Sequence, residues 1–137
     1  MYIKPKIIAE IGCNHKGDIE IAFELIKLAK ECGADVAKFQ KTNSKELLTE
    51  EQYNSPHPNP YNSYGETYGA HREFLEFDVA QNIQLMDYCN KIGIEYSTSV
   101  WDVTSAKDIV SMNPSMIKVP SACNNHFDML KILRDDY

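Results

Sequence analysis

The stretch GADVAKFQK (33–41) decides how this chain folds. Upstream, Ile21, Leu25, Leu28 and Cys32 recur at helical spacing, Asp18 stands where an N-cap belongs, and Gly33 suits the left-handed position past the last turn. The spacing predicts a helix over about 19–32 and then a buried strand, VAKFQ (36–40). With the apolar run KIIAEIG (6–12) before it, this reads as a βαβ unit. Lys38 sits in the middle of the second strand. An ammonium withdrawn from water costs several kcal/mol or more unless a counterion or an anionic ligand offsets it, so the position demands a reason.

The pattern returns downstream. Val79, Ile83, Met86 and Cys89 form a stripe behind a possible Asp78 cap, Gly93 closes the helix, and IEYSTS (94–99) reads as a third strand. Ser105 to Asp108 matches a capping box ahead of a short helix, and SMIKVPS (115–121) reads as a fourth strand, with a further helix beginning in HFDMLKILRDDY. Four strands alternating with helices imply a parallel sheet. The right-handed crossover rule leaves either a doubly wound sheet or part of a (β/α)8 barrel. One segment breaks the rhythm. From about Asn43 to Arg72 the chain is rich in Pro, Asn, Gly and Tyr, and its tyrosines 53, 61, 64 and 68 suit a lid or substrate loop better than disorder.

Among 137 residues, 43% are hydrophobic and 25% charged, the balance of a globular domain, and the net charge of −6 argues against nucleic acid or an anionic membrane surface as partner. The opening segment lacks the apolar run of a signal peptide, and no stretch approaches the roughly 20 apolar residues of a membrane span, so a cytoplasmic protein is expected. Cys13, Cys32, Cys89 and Cys123 are scattered without a Cys-x-x-Cys pair and read as structural thiols. His15, His57, His71 and His126 show no metal-ligand spacing, and Trp101 reads as packing or a pocket wall.

Ligands of parallel α/β folds gather at the carboxyl ends of the strands. There the first strand delivers Glu10, Asn14 and His15; the second Lys38 and Gln40; the third Ser97, Thr98 and Ser99; the fourth Lys118 and Ser121. Two lysines from different strands, joined by hydroxyls of Thr98 and Ser121, make a pocket for a compact polyanion such as a phosphorylated carboxylate. Against this, a single strand lysine more often extends its head into solvent, and Glu10 can be merely the structural counterion of Lys38.

In order, AEIGCNHKGDIEIAFELIKLAKECGADVAKFQK (9–41), NSYGETYGAHREFLEF (62–77), GIEYSTSVWD (93–102) and IKVPSACNN (117–125) resemble the N-terminal half of the sialic acid synthase family, which includes N-acetylneuraminate synthase. The resemblance covers nearly the whole chain. It implies that residues 1–137 are the N-terminal half, about four βα units, of a (β/α)8 TIM barrel. Such a barrel condenses phosphoenolpyruvate with an N-acyl hexosamine, yielding a nonulosonic acid and phosphate. In the implied reaction the enol C3 attacks the open-chain aldehyde, water adds at C2, and C–O cleavage expels phosphate, with a divalent metal (Mn2+ or Mg2+) as Lewis acid. By the same resemblance Lys38, Thr98, Lys118 and Ser121 hold phosphoenolpyruvate, and Glu10 and Lys38 are catalytic, Glu10 positioning water or handling a proton. Asn62, Tyr68, His71 and Arg72 lie near the sugar.

The chain departs from the family in two respects. Where many members carry K-x-G-S-G-[ED], this one has KVPSAC, so Pro120 replaces a glycine and Cys123 an acid, making Cys123 a candidate specificity position. A full barrel needs about 250 residues. The remainder of the barrel, the metal ligands and a C-terminal antifreeze-like domain are therefore expected beyond residue 137, in a longer enzyme working as a homodimer, and the isolated chain is expected to be inactive. Two other readings stay open: a Schiff-base aldolase using Lys38 or Lys118, and a non-catalytic half-barrel that binds an anion or sugar.

Overall fold

The computed structural model describes residues 4–137. Four strands alternate with helices: β1 (Ile8–Gly12), α1 (Ile19–Glu31), β2 (Val36–Lys41), α2 (Ser44–Leu47), α3 (Glu50–Asn54), α4 (Tyr68–Leu75), α5 (Val79–Ile92), β3 (Glu95–Val100), α6 (Val103–Met112), β4 (Met116–Lys118) and α7 (Phe127–Asp136). Short 3-10 turns occupy Pro60–Asn62 and Ser121–Cys123. All three strand pairs are parallel and the order is β1-β2-β3-β4. A doubly wound sheet needs a reversal of strand order somewhere, whereas here every crossover runs the same way. Same-handed crossovers put their helices on one face, and α1, α5, α6 and α7 touch consecutively to form that layer. This is the wall of half a (β/α)8 barrel.

The two faces of the sheet differ accordingly. Phe39 and Tyr96 stack at 5.9 Å on the helix side, where the Tyr96 hydroxyl donates to Asn82 Oδ1 of α5 at 2.8 Å. Ala37, Phe39, Tyr96 and Val100 belong to the helix-side core with Ile26, Leu85 and Ile109. Val36, equally buried, stays outside that core because it points the other way with Lys38.

Several local readings shift in register. In α1 the fully buried positions are Ala22 and Ile26, while Ile21, Leu28 and Cys32 are exposed. Of the stripe predicted from Ile21, Leu25, Leu28 and Cys32, Leu25 packs against the core and the other three face outward, since small Ala22 lets the helix backbone approach the sheet. In α5 three of the four predicted positions hold, Cys89 buried and Val79 and Met86 packed on the core beside Asn82 and Leu85, and Ile83 alone is exposed. The cap of α6 is Asp102, not Ser105: its carboxylate accepts from Ser105 N at 2.7 Å and Ser105 Oγ at 2.8 Å. Asp18 and Asp78 cap α1 and α5 as predicted, Asp78 within a full capping box.

The 43–72 segment is built, not loose. Thr49 and Gln52 form a capping box on α3, Thr67 caps α4, and Tyr53 lies so close over Gly69 that a Cβ there would run into its ring.

Candidate active site

Parallel register decides which side chains can meet. Glu10, Lys38 and Ser97 are aligned across β1, β2 and β3, and one step further along Gln40, Ser99 and Lys118 are aligned across β2, β3 and β4. All six point to the face away from the helices, since paired residues of parallel strands share a side. A bulge between Glu10 and Gly12 ends β1, and Gly12 holds a φ of +56° with Gln40 Nε2 only 3.3 Å from where a Cβ would sit. A larger residue there would crowd Gln40 and strain the turn.

Lys38 is 5% exposed. Its ammonium is ion-paired to the Glu10 carboxylate and donates to Ser99 Oγ at 3.3 Å. An ammonium carries three donors, so one N–H is left for a ligand. The Glu10 side chain is 52% exposed and reaches the open side of the sheet, where a substrate can meet it. Lys118 is exposed on the same face, and among the described residues no carboxylate pairs with it. Ser121 follows in the exposed turn past β4. The structure thus brings Glu10, Lys38 and Lys118 to one face, with Ser99 between the lysines.

Thr98 is not part of this group. It pairs in register with Phe39 and Ile117, so its side chain lies with the helix layer, fully buried, on the opposite side from Lys38. The hydroxyl that stands with the lysines is that of Ser99, one residue on. Strand alternation is the reason, and a one-residue choice inverts the face.

The loop residues divide similarly. Arg72 is half-buried, and its charge reaches Cys13 just past β1: burial pushes that thiol up, Arg72 draws it down, and Glu76 and Glu10 raise it further. His71 is buried inside the loop, its ring centroid 4.3 Å from His57 and 5.7 Å from Tyr64. Tyr64 N donates to His71 Nδ1 at 3.2 Å, and burial, then His57 and Arg72, hold His71 below the usual histidine range. It packs within the loop with its Nδ1 already engaged by Tyr64 N. Tyr68 opens α4 and packs on His57 and His71, and Asn62 is exposed in the 3-10 turn. Of these four, Arg72 is the one whose charge acts on Cys13 just past β1.

Carboxylates that sequence reasoning passed over fix this loop to the barrel wall. Glu76 accepts from Lys41 Nζ at 3.2 Å, Thr42 N at 3.1 Å and Thr42 Oγ1 at 2.6 Å. Glu46 accepts from Val103 N, Thr104 N and Thr104 Oγ1, occupying the amino end of α6, where the helix dipole favours an anion. Asp102 also accepts from Asn43 N at 2.7 Å, and that residue alone carried a sequence signal, standing just before a helical pattern.

His15 is buried and stacked on Phe77 with ring centroids 4.0 Å apart. Its Nδ1 accepts from Gly17 N at 3.1 Å, and burial lowers its pKa to about 4. It is a neutral core histidine at the foot of the β1 loop. Burial likewise raises Cys89 to about 12 and lifts Cys123 above the ordinary thiol range, so neither offers a ready thiolate. Cys123 lines a cleft of about 650 Å3 at the same rim, beside Trp101, Glu46 and His126, and its thiol donates to Trp101 O at 3.4 Å. Among the described residues no three His, Cys, Asp or Glu side chains gather as a metal-ligand set.

Residues 25–136 match the NeuB family. The chain is 40% identical over 125 residues to N-acetylneuraminate-9-phosphate synthase of Mus musculus, covering 91% of this chain and 34% of that protein. It is 31% identical over 115 residues to N,N'-diacetyllegionaminic acid synthase of Legionella pneumophila, covering 84% of this chain and 32% of that protein. Among solved structures it resembles the N-acetylneuraminic acid synthetase of Leptospira borgpetersenii, crystallised with citrate, at a TM-score of 0.74 and 25% identity over 97% of this chain and 42% of that one. The chain spans about a third of the length of the curated relatives it matches.

Proposed function

The chain belongs to the NeuB family, and on that premise we propose that its lysine face is the phosphoenolpyruvate side of a nonulosonic acid synthase. The reaction joins C3 of phosphoenolpyruvate to the aldehyde of an N-acyl hexosamine such as N-acetylmannosamine; water adds at C2, and phosphate leaves. One observation carries the reading: Lys38 from the middle of β2 and Lys118 from the carboxyl end of β4 stand on one sheet face, flanking Ser99. A doubly charged phosphate with a carboxylate on the same small molecule matches two ammonium groups set apart on a rigid frame. Glu10, paired to Lys38 yet half in solvent, stands where it can orient water or hold a proton near C2. Arg72 adds a third positive charge from the loop, nearer the sugar. The relatives' names support amino-sugar chemistry, and they differ among themselves in the acid made.

The whole enzyme, a homodimer in the cytoplasm, supplies the rest of the barrel and the ligands for its divalent ion. No helix among the described residues is long and apolar enough to cross a membrane. The Schiff-base alternative fits Lys38 less well, because its amine is engaged by Glu10 and Ser99, and it stays open for the exposed Lys118. Calorimetric titration tests the reading. Phosphoenolpyruvate should bind, pyruvate should bind at least tenfold more weakly, and both Lys38→Met and Lys118→Met should weaken phosphoenolpyruvate by about tenfold or more. Equal affinity for pyruvate and phosphoenolpyruvate refutes it.

A further inference from the structure

We propose that Glu76 is a positioning residue: it seats the carboxyl end of α4 on the ends of β1 and β2, and so sets Arg72 for the amino-sugar substrate. The inference rests on the functional reading above and adds to it a residue that lies off the lysine face.

Helix electrostatics single out Glu76. It caps the carboxyl end of α4, where the helix dipole disfavours an anion, so its charge does not serve that helix. It serves β2 instead. The carboxylate accepts from Lys41 Nζ at 3.2 Å, Thr42 N at 3.1 Å and Thr42 Oγ1 at 2.6 Å, three bonds to consecutive residues that are 7% and 1% exposed. Lys41 pairs in register with Val100 of the helix-side core, which puts this latch on the far side of the sheet from Lys38. The Lys45–Glu73 pair of α4 joins exposed side chains and holds the helix weakly by comparison.

Contacts on either side of Glu76 complete the seat. Gly17, at a φ of +76°, lies so close beneath α4 that a Cβ there would run into the carbonyl of Phe74, and Phe77 stacks on His15 at 4.0 Å. Residues 74–77 are thus wedged between the loop after β1 and the end of β2, the strands that carry Glu10 and Lys38. Arg72 stands about one helical turn before Glu76, and its charge reaches Cys13, the first residue past β1. A guanidinium held there presents five donors to sugar hydroxyls or an acyl oxygen. Misplacing such a group by about 1 Å can cost up to about 100-fold.

The test is steady-state kinetics of the full-length enzyme with phosphoenolpyruvate and N-acetylmannosamine or its 6-phosphate, whichever the parent takes. Glu76→Ala should raise the sugar KM by about tenfold and leave the phosphoenolpyruvate KM within about twofold of the parent. Thr42→Val, which loses the 2.6 Å bond but keeps the ion pair, should raise the sugar KM by about threefold. In an Arg72→Met background Glu76→Ala should add less than about twofold, since the group it positions is gone. Circular dichroism shows which variants fold. An unchanged sugar KM in Glu76→Ala, or in Thr42→Val where Glu76→Ala does not fold, overturns the inference and leaves the functional reading standing. Equal rises in both KM values also overturn it, by making Glu76 a general support of the fold, and so does a double variant whose loss is the product of the single losses. A parent enzyme that joins phosphoenolpyruvate to neither sugar overturns both.

Discussion

Separating the two halves of the Lys38–Glu10 pair should have unequal consequences. The Lys38 side chain is 6% exposed and that of Glu10 52%. Glu10→Gln leaves a buried ammonium with Ser99 as its remaining recorded partner, whereas Lys38→Met leaves a carboxylate already half in water and fills the space with a similar unbranched chain. Breaking a fully buried pair by removing one partner costs about 3–5 kcal/mol. Half-exposure of Glu10 screens the pair, so the expected loss for Glu10→Gln is about 1–3 kcal/mol. For Lys38→Met it is about 0–1 kcal/mol, the range of an exposed ion pair. With urea m-values of about 1–3 kcal/mol/M, the two midpoints should differ by roughly 0.5–1 M. The double variant should lie near Lys38→Met, since no charge is then stranded. Urea unfolding followed by circular dichroism reads all four proteins. A cost for Lys38→Met equal to or above that of Glu10→Gln would refute the reasoning, because it would mean that Lys38 is not the desolvated partner.

Other expectations follow from the same geometry. The folded pKa of His15, about 4, lies below the roughly 6.5 of an unfolded chain, so the fold favours the neutral ring. The associated stability is complete above pH 6.5 and drains by about 3 kcal/mol as pH falls toward 4. His15→Phe should flatten that slope relative to the parent, and parallel pH profiles of the two proteins would contradict it. Gly69→Ala drives a methyl into the Tyr53 ring and should cost about 1–3 kcal/mol, seen as faster protease cleavage between α3 and α4 with the barrel wall intact.

Much of this architecture is legible in the sequence. Gly33 and Gly93 after helical runs, Asp18 and Asp78 before them, and short apolar strands between them locate the βα units, because caps and strand burial are local matters. Whether the sheet is doubly wound or barrel-like is not local, and it needed the strand order. The α5 stripe is legible in Val79, Met86 and Cys89, with Ile83 alone turned out, whereas in α1 only Leu25 of the apolar stripe packs on the core and the fully buried positions are Ala22 and Ile26, because periodicity weighs large apolar residues over small ones. Lys38 and Lys118 stand out as charges in strands, but Thr98 and Ser99 are chemically alike and differ only by the face that register assigns them. Glu46 and Glu76 carry no local signal at all, since their partners lie 57, 58, 34 and 35 residues away in the chain.

Convergence of the two ammonium groups on one small anion is best examined through the lysines themselves. With 13Cε-labelled lysine, the resonances of Lys38 and Lys118, assigned from the Lys38→Met and Lys118→Met variants, can be followed while phosphoenolpyruvate is added. Both should shift along one binding curve with a common midpoint while the surface Lys27 and Lys107 stay still. Movement of only one of them, or of neither at saturation, would contradict the account.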